Sequence, residues 1–528
     1  MYVVFTTNAN LQSAPEHGGE GTMQVTRTMP RFLSFLDRRH LSASAREHRV
    51  VRLFALSVAG LVLEAVLLVG FLRPLQIAWH PQIARTLTPL KTVLGPGYPG
   101  ALRFALPAVA ASVLFAVALW LAQRLSGRVA VGLVLAGTVL FTLTFLPINP
   151  LGAHDVYHNI ADARTFWLYG DNPAIVPPSA HPDDPFFGHL TVWTDFPSAY
   201  GPLWYLLSGL PLPFTGAALW PSVIGQKALT ATFLLATTVL VMATAERIRP
   251  GAAPAAGVLV GWNPLLQFDT AGNAHNDIVL VCFGVAALSA AVRRWWLAVF
   301  PLLALAVATK YVLVLLGPVL FLWMLRQPAI PGRQILLSLG LAGLTLVAVY
   351  APFSQPLQML LGLRREAGHL TSSPAALLQV LFWTRLQIDL ETAGSIAQGI
   401  AVVLFLVGYV LLLLRLPRSA SPAVLVRTCC WVVFLFLVIA QGWFWPWYVV
   451  WLVPLAALLP GSRPALVAAA FSATALLMNV AYFWLLFGDS VRLHAVTVAI
   501  GFVVPVLLAI VPVRSVLRTG WPWTRSPT

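Results

Sequence analysis

The sequence predicts an all-α polytopic membrane protein, and three observations carry that prediction. Of 528 residues, 59% are hydrophobic and 10% charged, with a mean hydropathy of +0.81, far from the composition of soluble domains. The apolar residues fall in long runs, many near the roughly 20 residues a helix needs to cross about 30 Å of hydrocarbon. Basic residues, 33 Lys and Arg against 18 Asp and Glu for a net charge of +15, punctuate those runs and do not gather on one polar face. The charge therefore speaks to membrane topology and argues against a nucleic-acid partner. Cys282, Cys429 and Cys430 all sit in apolar runs and read as packing residues.

Residues 1–48 are polar and finish in Arg38, Arg39 and Arg46, which reads as a disordered cytoplasmic tail without the short apolar core of a signal peptide. One polytopic domain then runs over 49–515, followed by a second cytoplasmic tail at 516–528. Apolar runs at 51–72, 102–122 and 129–147 can each cross, and the Lys/Arg bias puts the N-terminal tail and the Gln123–Arg128 turn inside. The large first loop, 148–200, consequently lies on the extracytoplasmic side, with interfacial helices. It holds six of the 18 acidic residues, Asp155, Asp162, Asp171, Asp183, Asp184 and Asp195, against the single basic Arg164.

Further cytoplasmic anchors are Glu246–Arg249, Arg293 with Arg294, Arg326 with Arg333, and Arg415, Arg418 and Arg427. Keeping them inside makes the Pro- and Gly-rich stretch Gly201–Phe214 re-entrant or interfacial, because a full crossing there would invert the spans that follow. The same constraint makes 295–325 two half-length helices meeting near Lys310. Crossings are also expected near 253–269, 275–292, 334–352, 395–415, 428–444, 447–460, 465–487 and 494–513, with a second outer loop at 353–394. The total is about 14 transmembrane helices, in a range of about 12 to 16.

The outer ends of these spans carry the polar chemistry. In His154-Asp155-Val156-Tyr157-His158, continuing to Asp162, a helix would place Asp155, His158 and Asp162 on one face. A carboxylate held at a lipid surface can act as general base toward a hydroxyl, as inverting glycosyl transfer requires, although a solvated amphipathic helix would show the same spacing. A second group, Asn273, His275, Asn276 and Asp277 after Trp262-Asn263-Pro264, lies between two apolar spans, where polar side chains are expensive unless they line a cavity. Lys310, between apolar neighbours, either snorkels or meets an anionic group such as a phosphate. Arg364 and Arg365 with His369 are phosphate clamps on one reading and a solvated patch on the other. The aromatic turn from Trp443 to Tyr448, with Trp445 at its centre, is an interfacial belt or a sugar-stacking surface. Asp183 and Asp184 read as loop solvation before they read as hard-oxygen metal ligands, so no metal or other cofactor is required. No Walker-type loop or dinucleotide fingerprint is present, which disfavours ATP-driven transport and a nucleotide-sugar donor.

At these residues the chain resembles the GT-C class of integral-membrane glycosyltransferases that use polyprenyl-phosphate sugars, in particular their bacterial alpha-mannosyltransferase-like branch. The resemblance rests on His154-Asp155-Val156-Tyr157, Ile160-Ala161-Asp162, Tyr169-Gly170-Asp171-Asn172-Pro173, Tyr200-Gly201-Pro202-Leu203-Trp204, Asn263-Pro264, Gly272–Asp277, Ala308–Tyr311 and Pro446-Trp447-Tyr448. It is specific over about 130–330 and elsewhere follows hydropathy alone, and the acidic loop, which in the simplest members follows the first span, here has two further spans before that one. The resemblance implies Asp155 as catalytic base and Lys310, with Arg164, Arg364 or Arg365, as the donor-phosphate site. Sugar and acceptor contacts would come from His154, Tyr157, His158, Asp162, Tyr200, Asn273, His275, Asn276, Asp277 and Trp445. It implies a hexose, mannose first, moved from a polyprenyl-phosphate donor to a glycan or glycolipid acceptor outside the cell membrane. A flippase for lipid-linked sugars and a surface-glycan polymerase or ligase are the alternatives from other classes.

Overall fold

The structure, a computed structural model, describes residues 43–79, 89–360, 368–485 and 490–511. By internal contacts the chain divides into Met1–His48 and Arg49–Thr528, and the features below belong to the second unit, apart from the first three residues of the span that starts at Arg46. The expected tails 1–48 (apart from 43–48) and 516–528 lie outside the described residues, as do the candidates Arg364 and Arg365.

Among the described residues the regular structure is helical, with only two isolated bridges, Gln76 to Ile148 and Thr371 to Trp443. Nine helices there are long and apolar enough to cross a membrane, or ten if one bent pair counts as a span. They are Arg46–Leu75, Gly97–Ala122, Arg128–Phe145, Leu219–Ile248, Gly332–Tyr350, Leu390–Leu414, Pro422–Ala440, Arg463–Trp484 and Val491–Ile510. The described residues do not confirm the expected count of about 14. Hydropathy registers apolar residues whether or not the helix between them is whole, and three apolar regions are broken, one of them at Lys310 as the sequence predicts.

The first break follows Ala253–Gly261. Pro264 has no N–H to continue a helix, so the chain stops at Trp262 and restarts with the Asn263 side chain accepting from the Leu265 and Leu266 amides at 3.0 and 3.4 Å. The restarted segment Pro264–Gly272 meets Asp277–Arg293 at 118°, which places Asn273 to Asn276 at a buried corner. The second break is at Lys310, whose extended backbone (φ −158°, ψ 131°) separates Trp296–Thr309 from the turn Tyr311–Leu315 and the helix Leu316–Leu325. The third is the tight helix Pro446–Trp451 joined to Val453–Ala457, where one crossing was expected. Gly201–Phe214 forms two short helices, Pro202–Ser208 and Leu212–Thr215, too short to cross.

Broken backbone is tolerated at membrane depth only where protein satisfies it. One face of the span Leu219–Ile248 does this for three separate segments. Gln226 Nε2 donates to Ser208 O at 2.6 Å, Lys227 Nζ donates to Ile148 O, and Thr230 Oγ1 donates to Thr270 O at 2.9 Å. All three side chains are buried, so the span acts as a polar post to which the short helices, the start of the first loop and the bent corner are tied. Beneath the corner, Phe71, Phe104, Phe145 and Phe268 form an aromatic cluster with centroid separations of 5.7–6.4 Å. Trp262 locks the corner to its neighbours, since a Cβ at Gly137 would lie 2.6 Å from its ring and one at Gly60 2.8 Å. Small residues there let the helices close on the indole. Away from this core, Gly332–Tyr350 and Leu390–Leu414 bury least and carry exposed apolar side chains, as a surface against lipid requires.

Candidate active site

The first loop folds as the helix Asp155–Tyr169, with Asp155 at its first position, where the dipole of the helix favours a carboxylate. The residues just before it are fixed from the bent corner, because Asn273 Oδ1 accepts from the Gly152 amide at 3.0 Å while its Nδ2 donates to Asp269 Oδ1 at 3.1 Å. The corner turns on Ala274 at φ 59°, a conformation that a Cβ disfavours and that the surrounding hydrogen bonds hold in place. The turn delivers His275, whose Nδ1 lies 3.3 Å from Asp155 Oδ2. The Tyr200 hydroxyl donates to the same oxygen at 3.3 Å. Both contacts fall on Oδ2, so Oδ1 is left for another partner. Burial raises the Asp155 pKa, but the hydrogen bond and charge of His275, with Lys310 and His158, outweigh it and hold the carboxyl below its ordinary value.

Tyr200 can reach Asp155 because Gly201 follows it. The Gly201 amide donates to Thr309 O at 3.0 Å, and a Cβ there would stand 2.2 Å from Ala308 O. Any larger residue would push this loop off the break at Lys310. Lys310 Nζ donates to Asp277 Oδ1 at 2.9 Å and lies over the rings of Tyr448, Trp451 and Tyr200 at 4.7, 5.3 and 5.4 Å. Trp451 Nε1 donates to that same carboxylate oxygen. An ammonium has three donors; one goes to Asp277, and the rings stabilise the cation without consuming the others.

These groups open onto a cavity of about 1040 Å³. Its lining holds His154, Asp155, His158, Asp162 and Lys310 together with the apolar Val314, Leu315, Val402, Phe405, Leu406 and Phe436, of which Val314, Val402 and Leu406 are exposed. The cavity thus brings ionisable and apolar side chains to one space. Within it, burial pushes Asp162 up to about 7, partly offset by the Ser198 hydroxyl. Burial also lowers His158, against the opposing pull of Asp155 and the Val192 backbone.

Of the residues singled out by the sequence, His154, Asp155, His158, Asp162, Tyr200, Lys310 and Trp445 line this cavity. Asn273, His275, Asn276 and Asp277 are buried and stand outside its lining, His275 and Asp277 supporting Asp155 and Lys310. Tyr157 points elsewhere, packing with Val156, Ile160, Phe186, Val223 and Ala274. Arg164 is a correction. Its Nε donates to both oxygens of Asp184 at 2.9 and 3.0 Å and its Nη1 to Gly216 O at 2.9 Å, so it is committed to the fold and is absent from the cavity lining. The same pairing engages both oxygens of Asp184. Trp445 lies in the cavity wall but stacks on Trp447 at 4.9 Å and on Tyr482 at 5.0 Å, both nearly parallel. Sequence reasoning missed Trp193, Gln398, Trp451, Asn479 and Tyr482 in the lining and Lys227 behind the first loop. Lys227, Gln398 and Asn479 had the signal that found Lys310, a polar side chain inside an apolar run.

The profile of a family described as alpha-(1->6)-mannopyranosyltransferase, N-terminal domain (MptA_B family), matches residues 55–326. The chain belongs to this family. The matched stretch contains Asp155, the bent corner and Lys310, while the aromatic turn lies beyond it. Membership of the alpha-(1->6)-mannopyranosyltransferase family agrees with the branch to which the motifs pointed, and it makes the chain a membrane glycosyltransferase. Among solved structures, ArnT from Cupriavidus metallidurans bound to undecaprenyl phosphate is similar at 15% identity, over 72% of this chain and 76% of that chain, with a TM-score of 0.43. Comparison with curated proteins finds no match.

Proposed function

We propose that this mannopyranosyltransferase moves mannose from a polyprenyl-phosphate donor to a hydroxyl of a glycan or glycolipid, at the extracytoplasmic face of the cell membrane, with inversion at C1. The N- and C-terminal tails then lie on the cytoplasmic side. The observation that carries this reading is a single cavity lined by exposed apolar side chains and by Asp155 and Lys310, with His275 and Asp277 holding those two groups from behind. A polyprenyl tail would rest along Val314, Val402 and Leu406, with its phosphate at Lys310.

The acceptor hydroxyl would approach Asp155 Oδ1. As its oxygen bonds to C1, the proton passes to Asp155 and the C1–O bond to phosphate breaks, releasing polyprenyl phosphate. His275 and Tyr200, both on Oδ2, fix the orientation of the carboxylate, and Lys310 offsets the charge that develops on the leaving phosphate. Phosphate is already a good leaving group, so the scheme requires no divalent metal.

The experiment is transfer of radiolabelled sugar by purified protein in liposomes, offered polyprenyl-monophosphate mannose, glucose and galactose and a diphosphate-linked mannose. Label should move from the monophosphate mannose to a glycolipid or glycan acceptor. Movement of intact donor across the bilayer with no transfer from any donor would replace this reading with that of a flippase.

A further inference from the structure

The aromatic side chains around the cavity form a chain of rings whose two halves differ in geometry. Beside Asp155 the rings are parallel: His275 on Trp447 at 4.0 Å and 16°, Trp447 on Trp445 at 4.9 Å and 10°, and Trp445 on Tyr482 at 5.0 Å and 18°. In such a stack the faces of Trp445 and Trp447 are spent on each other, and the cavity meets their edges. Farther along, the planes turn. Trp443 makes 57° with Trp445, and Trp193 stands at 78° to Trp443 with centroids 6.1 Å apart, then 48° to His158 at 5.9 Å.

Trp193 and Trp443 thus form a nearly right-angled corner in the cavity wall. Trp193 is 45% exposed, and it holds a φ of 58°, rare for a bulky residue and stable only where surrounding contacts fix it. The first loop supplies Trp193 and the aromatic turn supplies Trp443. The turn is itself pinned, since the Gly442 carbonyl accepts from the Thr371 amide and the Phe444 amide donates to Thr371 O, both at 3.0 Å. A rigid, accessible indole face with a second ring across it suits the flat apolar face of a pyranose, whose rim hydroxyls remain free for polar partners. His158 links this corner to the base, being on the same helix face as Asp155 and in ring contact with Trp193.

We propose that the Trp193–Trp443 corner is an acceptor subsite, which holds the sugar next to the one that accepts the transferred mannose. The enzyme therefore extends an oligosaccharide chain in preference to a single sugar. The sugar-stacking role falls to Trp193 and Trp443, and Trp445 serves as a fixed spacer between them and the His275–Asp155 pair. This rests on the transferase reading above.

The test is kcat/KM for alkyl glycosides carrying one, two or three mannose units, with polyprenyl-phosphate mannose as donor, for the wild-type protein, Trp193→Ala and Trp443→Ala. In the wild type, adding the second sugar should raise kcat/KM roughly three- to tenfold, the scale of one aromatic stacking contact, chiefly through a lower acceptor KM. In either variant that ratio should fall toward one. Tryptophan fluorescence of donor-free protein titrated with free mannobiose gives an independent readout, with a binding signal that Trp193→Phe keeps and Trp193→Ala loses. Should Trp443→Ala fail to accumulate, Trp193→Ala, on an exposed side chain, decides alone. Turnover with no dependence on acceptor length, or with the same dependence in Trp193→Ala, overturns the subsite and leaves the transferase reading standing. Absence of turnover with every acceptor overturns the transferase reading instead.

Discussion

The helix Asp155–Tyr169 carries two acid-centred clusters that differ in one respect. At its start, Asp155 meets His275 and Tyr200 through Oδ2 alone. Two turns on, Asp184 receives Arg164 on both oxygens, the Tyr169 hydroxyl at 2.7 Å and the Phe186 amide at 2.7 Å. Burial raises both carboxyls, and hydrogen bonds and neighbouring charge bring both below the ordinary value, so ionisation does not separate them. Saturation does. A carboxylate whose lone pairs are all engaged holds a fold together, and one with an open oxygen in a cavity can accept a proton from a substrate. The unspent partners around Asp155 extend the contrast: His275 Nε2, Asn276 Nδ2 and Asp277 Oδ2 have no hydrogen-bond partner among the described residues.

Asp155→Asn should break the comparison at its open end. Turnover falls about 10²- to 10⁴-fold, the usual range for losing a general base, and the melting temperature falls less than in Asp184→Asn because only Oδ2 of Asp155 is engaged, as initial rates and thermal unfolding in detergent would show. The effect of Lys310→Met is smaller and differently distributed. Losing a charged hydrogen bond to phosphate raises the KM for donor by about tenfold or more, and steady-state kinetics with donor varied reads it out separately from the acceptor. At the saturated end, Asp184→Asn destabilises by about 2 kcal/mol, between the values for exposed and fully buried pairs, and spares the activity of the folded fraction. Because the folded pKa of Asp184 is depressed, its contribution is present above the unfolded value of 3.8 and is lost as pH falls through the lower folded value. The difference in melting temperature between wild type and Asp184→Asn therefore disappears in acid.

Asp162 sharpens the contrast by the opposite sign. Its folded pKa is raised to about 7, so the stability of its neutral form is complete below 3.8 and is lost as pH rises toward 7. Asp162→Asn should melt like wild type near pH 4 and at a higher temperature above pH 7. A gain that is constant with pH would place the Asp162 carboxyl in water.

The open cluster was legible in the sequence because polar residues in a chain with 10% charge are costly wherever they fall: Asp155, His275 and Asp277 fall at ends of apolar runs and Lys310 inside one. Arg164 shared that signal and misled, since a sequence shows a charge and conceals its partner, here 20 residues away on a Pro-rich loop. Trp445 lies in the cavity wall as the sequence suggested, but which face of an indole is free depends on Trp447 and Tyr482, and hydropathy carries no ring planes. The break at Lys310 was legible as a lysine inside an apolar run, whereas the break at Pro264 interrupts a helix without interrupting hydrophobicity. What survives from sequence to structure is the position of the expensive residues, and what does not is how their hydrogen bonds are divided.

The most direct measurement is single-turnover transfer per mole of folded protein, comparing Asp155→Asn with Arg164→Met after fluorescence-detected size exclusion has counted the folded fraction of each. The account predicts a folded but inactive Asp155→Asn, and an Arg164→Met that folds less well yet transfers at close to the wild-type rate once folded. An active Asp155→Asn, or a fully folded Arg164→Met that cannot transfer, would contradict it.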